Sequence, residues 1–206
     1  KEREFSIFTF PRGARAGTFM HDMLEHLDFP MVRDAATQRL VADGLRRYGF
    51  AEAFCPSIRT MLEQVVDQPL DGFQLADISR EKRINELEFY FPLQQVSPSE
   101  IGRLFSGINS GHSEMFGERS RGLHFSPLHG YMHGFIDLVL EHGEKFYLID
   151  WKSNHLGDSA ADYNANALSR VMIESYYFLQ YHLYTLALHL HLRASLPDYS
   201  YERHFG

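Results

Sequence analysis

Cysteine is almost absent from this chain, which has only Cys55 among its 206 residues. One thiol cannot form an internal disulfide, and zinc–thiolate sites and iron–sulfur clusters need several cysteine ligands. We therefore expect a protein of the reducing cytoplasm, with no iron–sulfur cluster in this chain.

Long apolar runs and nucleotide-binding loops are also missing. No apolar stretch approaches the roughly 20 residues that span a membrane, and no leader-like segment opens the chain. The sequence has no G-x-x-x-x-G-K-[ST] loop, the pattern that cradles nucleotide phosphates. We therefore expect no membrane partner and no nucleotide site in this fragment. Because position 1 is Lys, we also expect the chain to be a piece of a longer protein.

Basic residues are too few to balance the acidic ones. Lys and Arg total 20 against 27 Asp and Glu, a net charge of -7, whereas phosphate-binding proteins normally carry a basic surplus. Clustered carboxylates that hold cations would account for part of this charge, and a basic partner could balance the rest. The length predicts a single domain over 1–206, with a helix-rich elaboration over 30–120.

Hydrophobic periodicity and capping residues predict the helices. Ser97-Pro98-Ser99-Glu100 is a capping box, which predicts a short helix through Leu104. The stretch 107–121 is rich in Gly, Ser and charge, which favours a loop. The other predicted helices cover 17–27, 34–48, 56–66 and 167–193.

Strand patterns occupy 84–91, 129–141 and 146–152, and the last two predict a hairpin with a turn at 142–145. If Glu141 faces Phe146, paired positions sum to 287, and Asp137 lies opposite Asp150. Cross-strand partners have β-carbons about 4.5–5.5 Å apart. Lys152 shares the face of Asp150 because strand side chains alternate.

This arrangement fits phosphodiester hydrolysis. Two neighbouring carboxylates within apolar strands are unfavourable unless a cation relieves their repulsion, and Mg²⁺ prefers such oxygen ligands. Hydrolysis needs a metal that polarises the phosphate and a further cation near the reacting oxygens. Asp137, Asp150 and Lys152 supply these groups. The alternative for an isolated D-x-K tripeptide is a solvated strand face.

Four motifs in order carry a family resemblance: GTFMH at 17–21, GFID at 134–137, YLIDWKSN at 147–154 and QYHLY at 180–184. Together they resemble the PD-(D/E)xK nuclease superfamily, and within it the RecB-type nuclease domains of exodeoxyribonuclease V. The resemblance implies an α/β, restriction-endonuclease-like fold with a mixed central sheet flanked by helices. It also implies that the chain is a C-terminal fragment of a longer helicase–nuclease subunit.

The resemblance assigns roles to the site residues. It implies that His21, Asp137, Asp150 and the main-chain carbonyl of Trp151 ligate Mg²⁺, and that Lys152 orients or deprotonates the attacking water. Because imidazole is a softer ligand than Mg²⁺ prefers, Mn²⁺ is an acceptable substitute. Without the resemblance, His21 would be interpreted as a helix-surface histidine.

Three further residues have weaker assignments. Gln180 and Tyr184, one helical turn apart, would contact DNA or orient the catalytic groups; the alternative is packing within a helix interface. Glu88 would reach a second metal or anchor a site group; the alternative is an exposed strand carboxylate.

The function that the resemblance implies is hydrolysis of DNA phosphodiester bonds in double-strand-break repair by homologous recombination. The substrate would be single-stranded DNA delivered by a helicase, and the protein partners would be other subunits of a RecBCD-like complex. The single Cys55 argues against the iron–sulfur relatives of the family. A catalytically degenerate nuclease fold, serving as a DNA-binding or docking module, is the alternative, and three convergent charged residues argue against it.

Overall fold

The computed structural model describes residues 5–106, 113–124 and 128–206. Short 3-10 helices connect several of its regular elements. The strands are β1 (Arg83–Val96), β2 (Leu128–His142) and β3 (Lys145–Ile149). The helices are α1 (Ala14–His26), α2 (Ala35–Arg47), α3 (Cys55–Asp67), α4 (Pro98–Ser106), α5 (Ser113–Arg121), α6 (Ala165–Glu174), α7 (Tyr177–Ser195) and α8 (Tyr201–His204).

The chain forms two compact units. The first unit contains Lys1–Leu87, Ile136–Ala160 and Tyr199–Gly206, and the second contains Glu88–Phe135 and Ala161–Asp198. Strands β1 and β2 therefore each contribute residues to both units. The assignment of 1–206 to a single nuclease domain, with a helical elaboration over 30–120, stays a prediction.

The three strands form an antiparallel sheet in the order β1-β2-β3. The register prediction is confirmed, because Glu141 pairs with Phe146. The predicted four-residue loop at 142–145 is wrong: His142 pairs with Lys145, which leaves only two residues in the turn. Gly143 has φ 63, the left-handed conformation that tight hairpin turns favour and that glycine adopts without a steric penalty.

The last pairings of the sheet limit the extent of β3. This strand ends at Ile149, so the predicted continuation to 152 is wrong and Lys152 lies beyond the ladder. Phe146 also forms a parallel bridge to Phe205, and Phe146 O accepts the amide of Gly206 at 2.9 Å. The Tyr199–Gly206 segment thus adds to β3 within the first unit.

The core of the first unit lies between α1, α2, α3 and β2. Its apolar side chains recur every three or four residues on each helix and on alternate positions of the strand. A β-carbon added to Gly44 would lie 2.6 Å from Met23 Cε, so α2 approaches α1 closely there. Members of this core with almost no exposure include Phe19, Met23, Leu27, Val41, Leu45, Ile58, Leu62, Val66, Leu138 and Leu140.

One loop prediction and one helix prediction are wrong in the second unit. The predicted loop at 107–121 is wrong at Ser113–Arg121, which forms α5; 107–112 lie outside the described residues. The predicted helix over 167–193 is divided into α6 and α7 by Tyr176, which has φ 57. The apolar period continues across this break, so periodicity gave no sign of the left-handed residue.

The capping box is confirmed. Ser97 N donates to Glu100 Oε2 at 2.9 Å, and Glu100 N donates to Ser97 Oγ at 3.3 Å. These bonds satisfy amides that have no partner within the helix. Among the described residues, no helix combines the length and the apolar character that membrane crossing requires.

Candidate active site

Helix α1 and strand β2 bring His21 next to Asp137. His21 Nδ1 lies 3.5 Å from Asp137 Oδ2, and the two side chains are 36% and 14% exposed. Asp137 Oδ2 also accepts the main-chain amide of Trp151 at 2.7 Å. One carboxylate therefore connects the helix, the strand and the segment that follows β3.

The segment after β3 places Asp150 and Lys152 at the same point. Lys152 Nζ donates to Asp150 Oδ2, and the two side chains are 28% and 20% exposed. Asp150 is not a ladder partner of Asp137, because β3 has already ended; their carboxyl groups nevertheless interact. The structure thus brings together His21, Asp137, Asp150 and Lys152, all in the first unit.

The site shifts the pKa values of its two carboxyl groups in opposite directions. Burial raises the pKa of Asp150, and Asp137 adds to the rise although Lys152 opposes it. Burial also acts upward on Asp137, but its hydrogen bonds with His21 and Trp151 bring its pKa below the ordinary value. The same bond to Asp137 raises the pKa of His21 against the opposing effect of burial. Asp137 is thus the anionic centre of the cluster.

The donor set fits a divalent cation. Two adjacent, largely buried carboxylates repel each other, and a bound cation removes that repulsion. A second group, Asp22, Glu25 and His26 on α1, also has ligand atoms close together. Arg47 donates to Asp22 at 2.8 Å, so a cation already neutralises part of that group.

The structure reveals Glu86 as a neighbour of the site that the sequence analysis missed. Burial raises the pKa of Glu86, and the nearby charges of Asp137 and Glu25 raise it further, whereas His21 lowers it. Glu86 has φ 54 inside β1, and such a left-handed residue changes where a strand side chain points. Strict strand alternation would put Glu86 on the same face as Glu88, so the sequence offers no signal that separates the two. Glu88 instead bonds His133 Nε2 at 3.0 Å in the second unit; its predicted role stays a prediction.

We expect Glu86→Gly to make the protein more stable and less active. Glycine accepts the left-handed conformation, which costs other residues about 1 kcal/mol, and the substitution also removes a disfavoured charge. Loss of a carboxylate beside the site should lower the DNA cleavage that the sequence predicts about tenfold or more. Urea unfolding and a cleavage assay measure both effects. Glu118→Gln, at an exposed position of α5, is the control that should change neither; a stable variant with full activity would exclude a role for Glu86.

Gly17 lets α1 approach the segment that carries Lys152. A β-carbon built on Gly17 would lie 2.9 Å from Ser153 Oγ, which is closer than a normal contact. A larger residue would therefore push Ser153, and with it the neighbouring lysine, away from α1. This close approach explains why a residue without a side chain stands at the first position of the GTFMH motif.

We expect Gly17→Ala to lower the free energy of unfolding by about 1 kcal/mol, the lower end of overpacking costs. In a Ser153→Ala background the contact is gone, and the same change should stabilise by up to about 1 kcal/mol because Ala favours a helix over Gly. Chemical denaturation of the four proteins measures this coupling. Equal effects in both backgrounds would mean that the contact is unimportant.

The two late motif residues lie on α7 in the second unit. Gln180 Nε2 donates to the hydroxyl of Tyr184 at 2.9 Å, and the Tyr184 ring meets Phe89 with 5.7 Å between centroids. Both side chains are half-buried. These contacts fit the packing alternative, and a role in DNA contact or site orientation stays a prediction.

Comparison with known proteins agrees with this geometry. The family model of the PD-(D/E)XK nuclease superfamily matches residues 3–200, and the chain belongs to this superfamily. It is similar to the RecBCD enzyme subunit RecB of Escherichia coli (strain K12), 37% identical over 203 residues, covering 96% of this chain and 16% of that protein. The RecB subunit of Haemophilus influenzae (strain ATCC 51907 / DSM 11121 / KW20 / Rd) is 37% identical over 209 residues, covering 100% and 16%. That of Mycobacterium tuberculosis (strain ATCC 25618 / H37Rv) is 33% identical over 225 residues, covering 97% and 20%. The chain therefore spans less than a quarter of the length of these relatives.

Proposed function

We propose that this chain is a divalent-metal-dependent deoxyribonuclease. The observation that carries the proposal is the convergence of Asp137, Asp150, Lys152 and His21 in the first unit of a PD-(D/E)XK chain. Asp137, Asp150, His21 and the main-chain carbonyl of Trp151 would hold Mg²⁺, with Mn²⁺ as a substitute. A bound ion of this kind polarises the phosphoryl oxygen and activates water.

The chain's own residues position the reacting groups. Asp150 holds the Lys152 ammonium, so this cation is fixed at the carboxylates and can orient the attacking water or exchange a proton with it. The Trp151 amide and His21 hold Asp137 Oδ2, which fixes the carboxylate before substrate binds. Such preorganisation avoids rearrangement during the reaction.

The proposed substrate is single-stranded DNA, delivered by a helicase during double-strand-break repair by recombination. The relatives are named as subunits of a RecBCD enzyme, which supports assembly with other subunits of such a complex. The sequence contains no G-x-x-x-x-G-K-[ST] loop, so the unwinding activity would reside outside these 206 residues. A cytoplasmic location completes the proposal.

The test is cleavage of end-labelled single-stranded DNA with Mg²⁺, with Mn²⁺ and with EDTA. We expect metal-dependent cleavage that falls about a hundredfold or more in Lys152→Met, because a preorganised charge at the reacting oxygens is lost. Lys145→Met, at the start of β3, is the matched control and should cleave like the native chain. Equal cleavage by Lys152→Met would place the activity elsewhere. Binding of DNA without any cleavage would support the docking-module alternative.

A further inference from the structure

The second unit exposes aromatic rings on its strands. Tyr90 of β1 is 64% exposed, and Tyr131 and Phe135 of β2 are 77% and 43% exposed. Together with His133 they form what we call the aromatic strip. The large exposed apolar side chains on the helices of this unit are instead mostly aliphatic, namely Leu104, Leu168, Met172 and Leu186; Tyr181 is the aromatic exception.

The strip is held in place by its own contacts. The rings of Tyr90 and His133 stack with centroids 4.2 Å apart and an interplanar angle of 11°. The His133 ring meets Phe135 edge-on at 5.2 Å, and Glu88 Oε1 holds His133 Nε2 at 3.0 Å. The rings of Tyr90, His133 and Phe135 are therefore oriented before any ligand binds, which lowers the entropic cost of binding.

The spacing of the rings along β2 and the charges near them indicate which kind of ligand the strip would bind. Alternate residues of a strand stand roughly 6.8 Å apart on one face, so Tyr131, His133 and Phe135 form a row of rings rather than one pocket. The stretch 128–135 contains no Asp, Glu, Lys or Arg. Aromatic rings whose neighbouring charge is the Glu88 carboxylate suit the faces of successive bases better than they suit phosphates, which an anion repels.

We propose that the aromatic strip is a base-stacking surface for single-stranded DNA. Bases within a duplex are already stacked, so only an unpaired strand offers their faces. The proposal rests on the proposed nuclease function, because that function makes single-stranded DNA the substrate of this chain. Stacking is also the part of single-strand binding that does not draw on basic residues, which are in deficit in a chain of net charge -7.

The test compares binding of two labelled oligonucleotides of equal length, oligo(dT) and an abasic strand, by fluorescence anisotropy in EDTA. We expect the 206-residue chain to prefer oligo(dT). Tyr131→Ala and Tyr90→Ala should each weaken oligo(dT) binding about tenfold, the effect of losing one stacked base, without weakening abasic binding. Tyr131→Phe, which keeps the ring, and Leu168→Ala, on α6, should retain the preference. Unchanged unfolding temperatures would show that the variants are folded.

Two results would overturn the proposal: equal binding of both strands by the native chain, or a base preference that survives in both alanine variants. If Tyr131→Ala instead impairs assembly with purified helicase subunits and keeps the base preference, the strip is a protein-docking surface and the proposal is wrong. Because EDTA prevents cleavage, failure of the nuclease proposal is visible separately. A chain that prefers bases but never cleaves supports the strip, whereas one that cleaves without base preference contradicts it.

Discussion

Asp150→Asn should nearly eliminate cleavage of single-stranded DNA by this chain. The substitution removes the negative charge that holds Lys152 and one of the two carboxylates proposed to bind the metal. We expect a loss of about a hundredfold to a thousandfold in kcat, the range for removing a preorganised electrostatic group. Single-turnover cleavage of labelled DNA at saturating Mg²⁺ measures it.

The same variant should be more stable than the native chain in metal-free solution. Burial raises the pKa of Asp150, and Asp137 adds to this against Lys152, so the folded protein disfavours the ionised form. The native chain bears this penalty at pH values above the raised pKa, and the penalty disappears as the pH falls through it and the carboxyl becomes neutral. The stabilisation by Asn should follow the same pH dependence, measured by thermal unfolding in EDTA.

Asp158→Asn is the matched control for both measurements. Asp158 lies eight residues further on, and its 79% exposed side chain pairs with Arg12. We expect its activity and unfolding temperature to match those of the native chain. If Asp150→Asn kept more than a tenth of the native rate, Asp150 would not belong to the active site.

Phe19→Ala should produce the largest loss of stability. Phe19 is fully buried, and its ring contacts Phe10, Phe50 and Tyr48 at centroid distances of 5.4, 5.5 and 5.7 Å. Replacing such a ring by a methyl group leaves a cavity and costs about 3–5 kcal/mol. Because His21 is two residues further along α1, activity should also be lost at temperatures where the native chain remains active.

Urea denaturation measures this loss, and two controls bracket it. Phe19→Leu keeps part of the volume and should cost less, whereas Leu104→Ala, at a position 68% exposed, should cost under about 1 kcal/mol. A Phe19→Ala variant less than about 1.5 kcal/mol below the native chain would mean that α1 is not held by this cluster.

Local patterns predicted the parts of the fold that depend on local chemistry. The predicted 34–48 and 56–66 helices correspond to α2 and α3 within one residue at each end, because the apolar spacing that marks them is contained in the segments themselves. The hairpin register followed from one pairing, Glu141 with Phe146. The neighbourhood of Asp137, Asp150 and Lys152 was therefore accessible from sequence, whereas their roles remain to be tested.

What the sequence could not reveal depends on backbone conformations that no pattern marks. Tyr176 and Glu86 both have positive φ although neither is glycine, and tertiary packing must stabilise such conformations. The first divides a helix that periodicity had joined. The second places a carboxylate beside Asp137, where regular strand alternation would put it on the face of Glu88.

The first unit is assembled from segments that lie far apart in the chain, and this has a consequence for its synthesis. Helices α1 to α3 are complete by Asp67, yet Leu138 and Leu140, which complete their core, are translated about seventy residues later. A nascent chain that stops at 135 thus exposes apolar helix faces and lacks both Asp137 and Lys152. The proposed nuclease activity would arise only after the hairpin leaves the ribosome, and ribosome stalling between α3 and β2 would yield an inactive, aggregation-prone product.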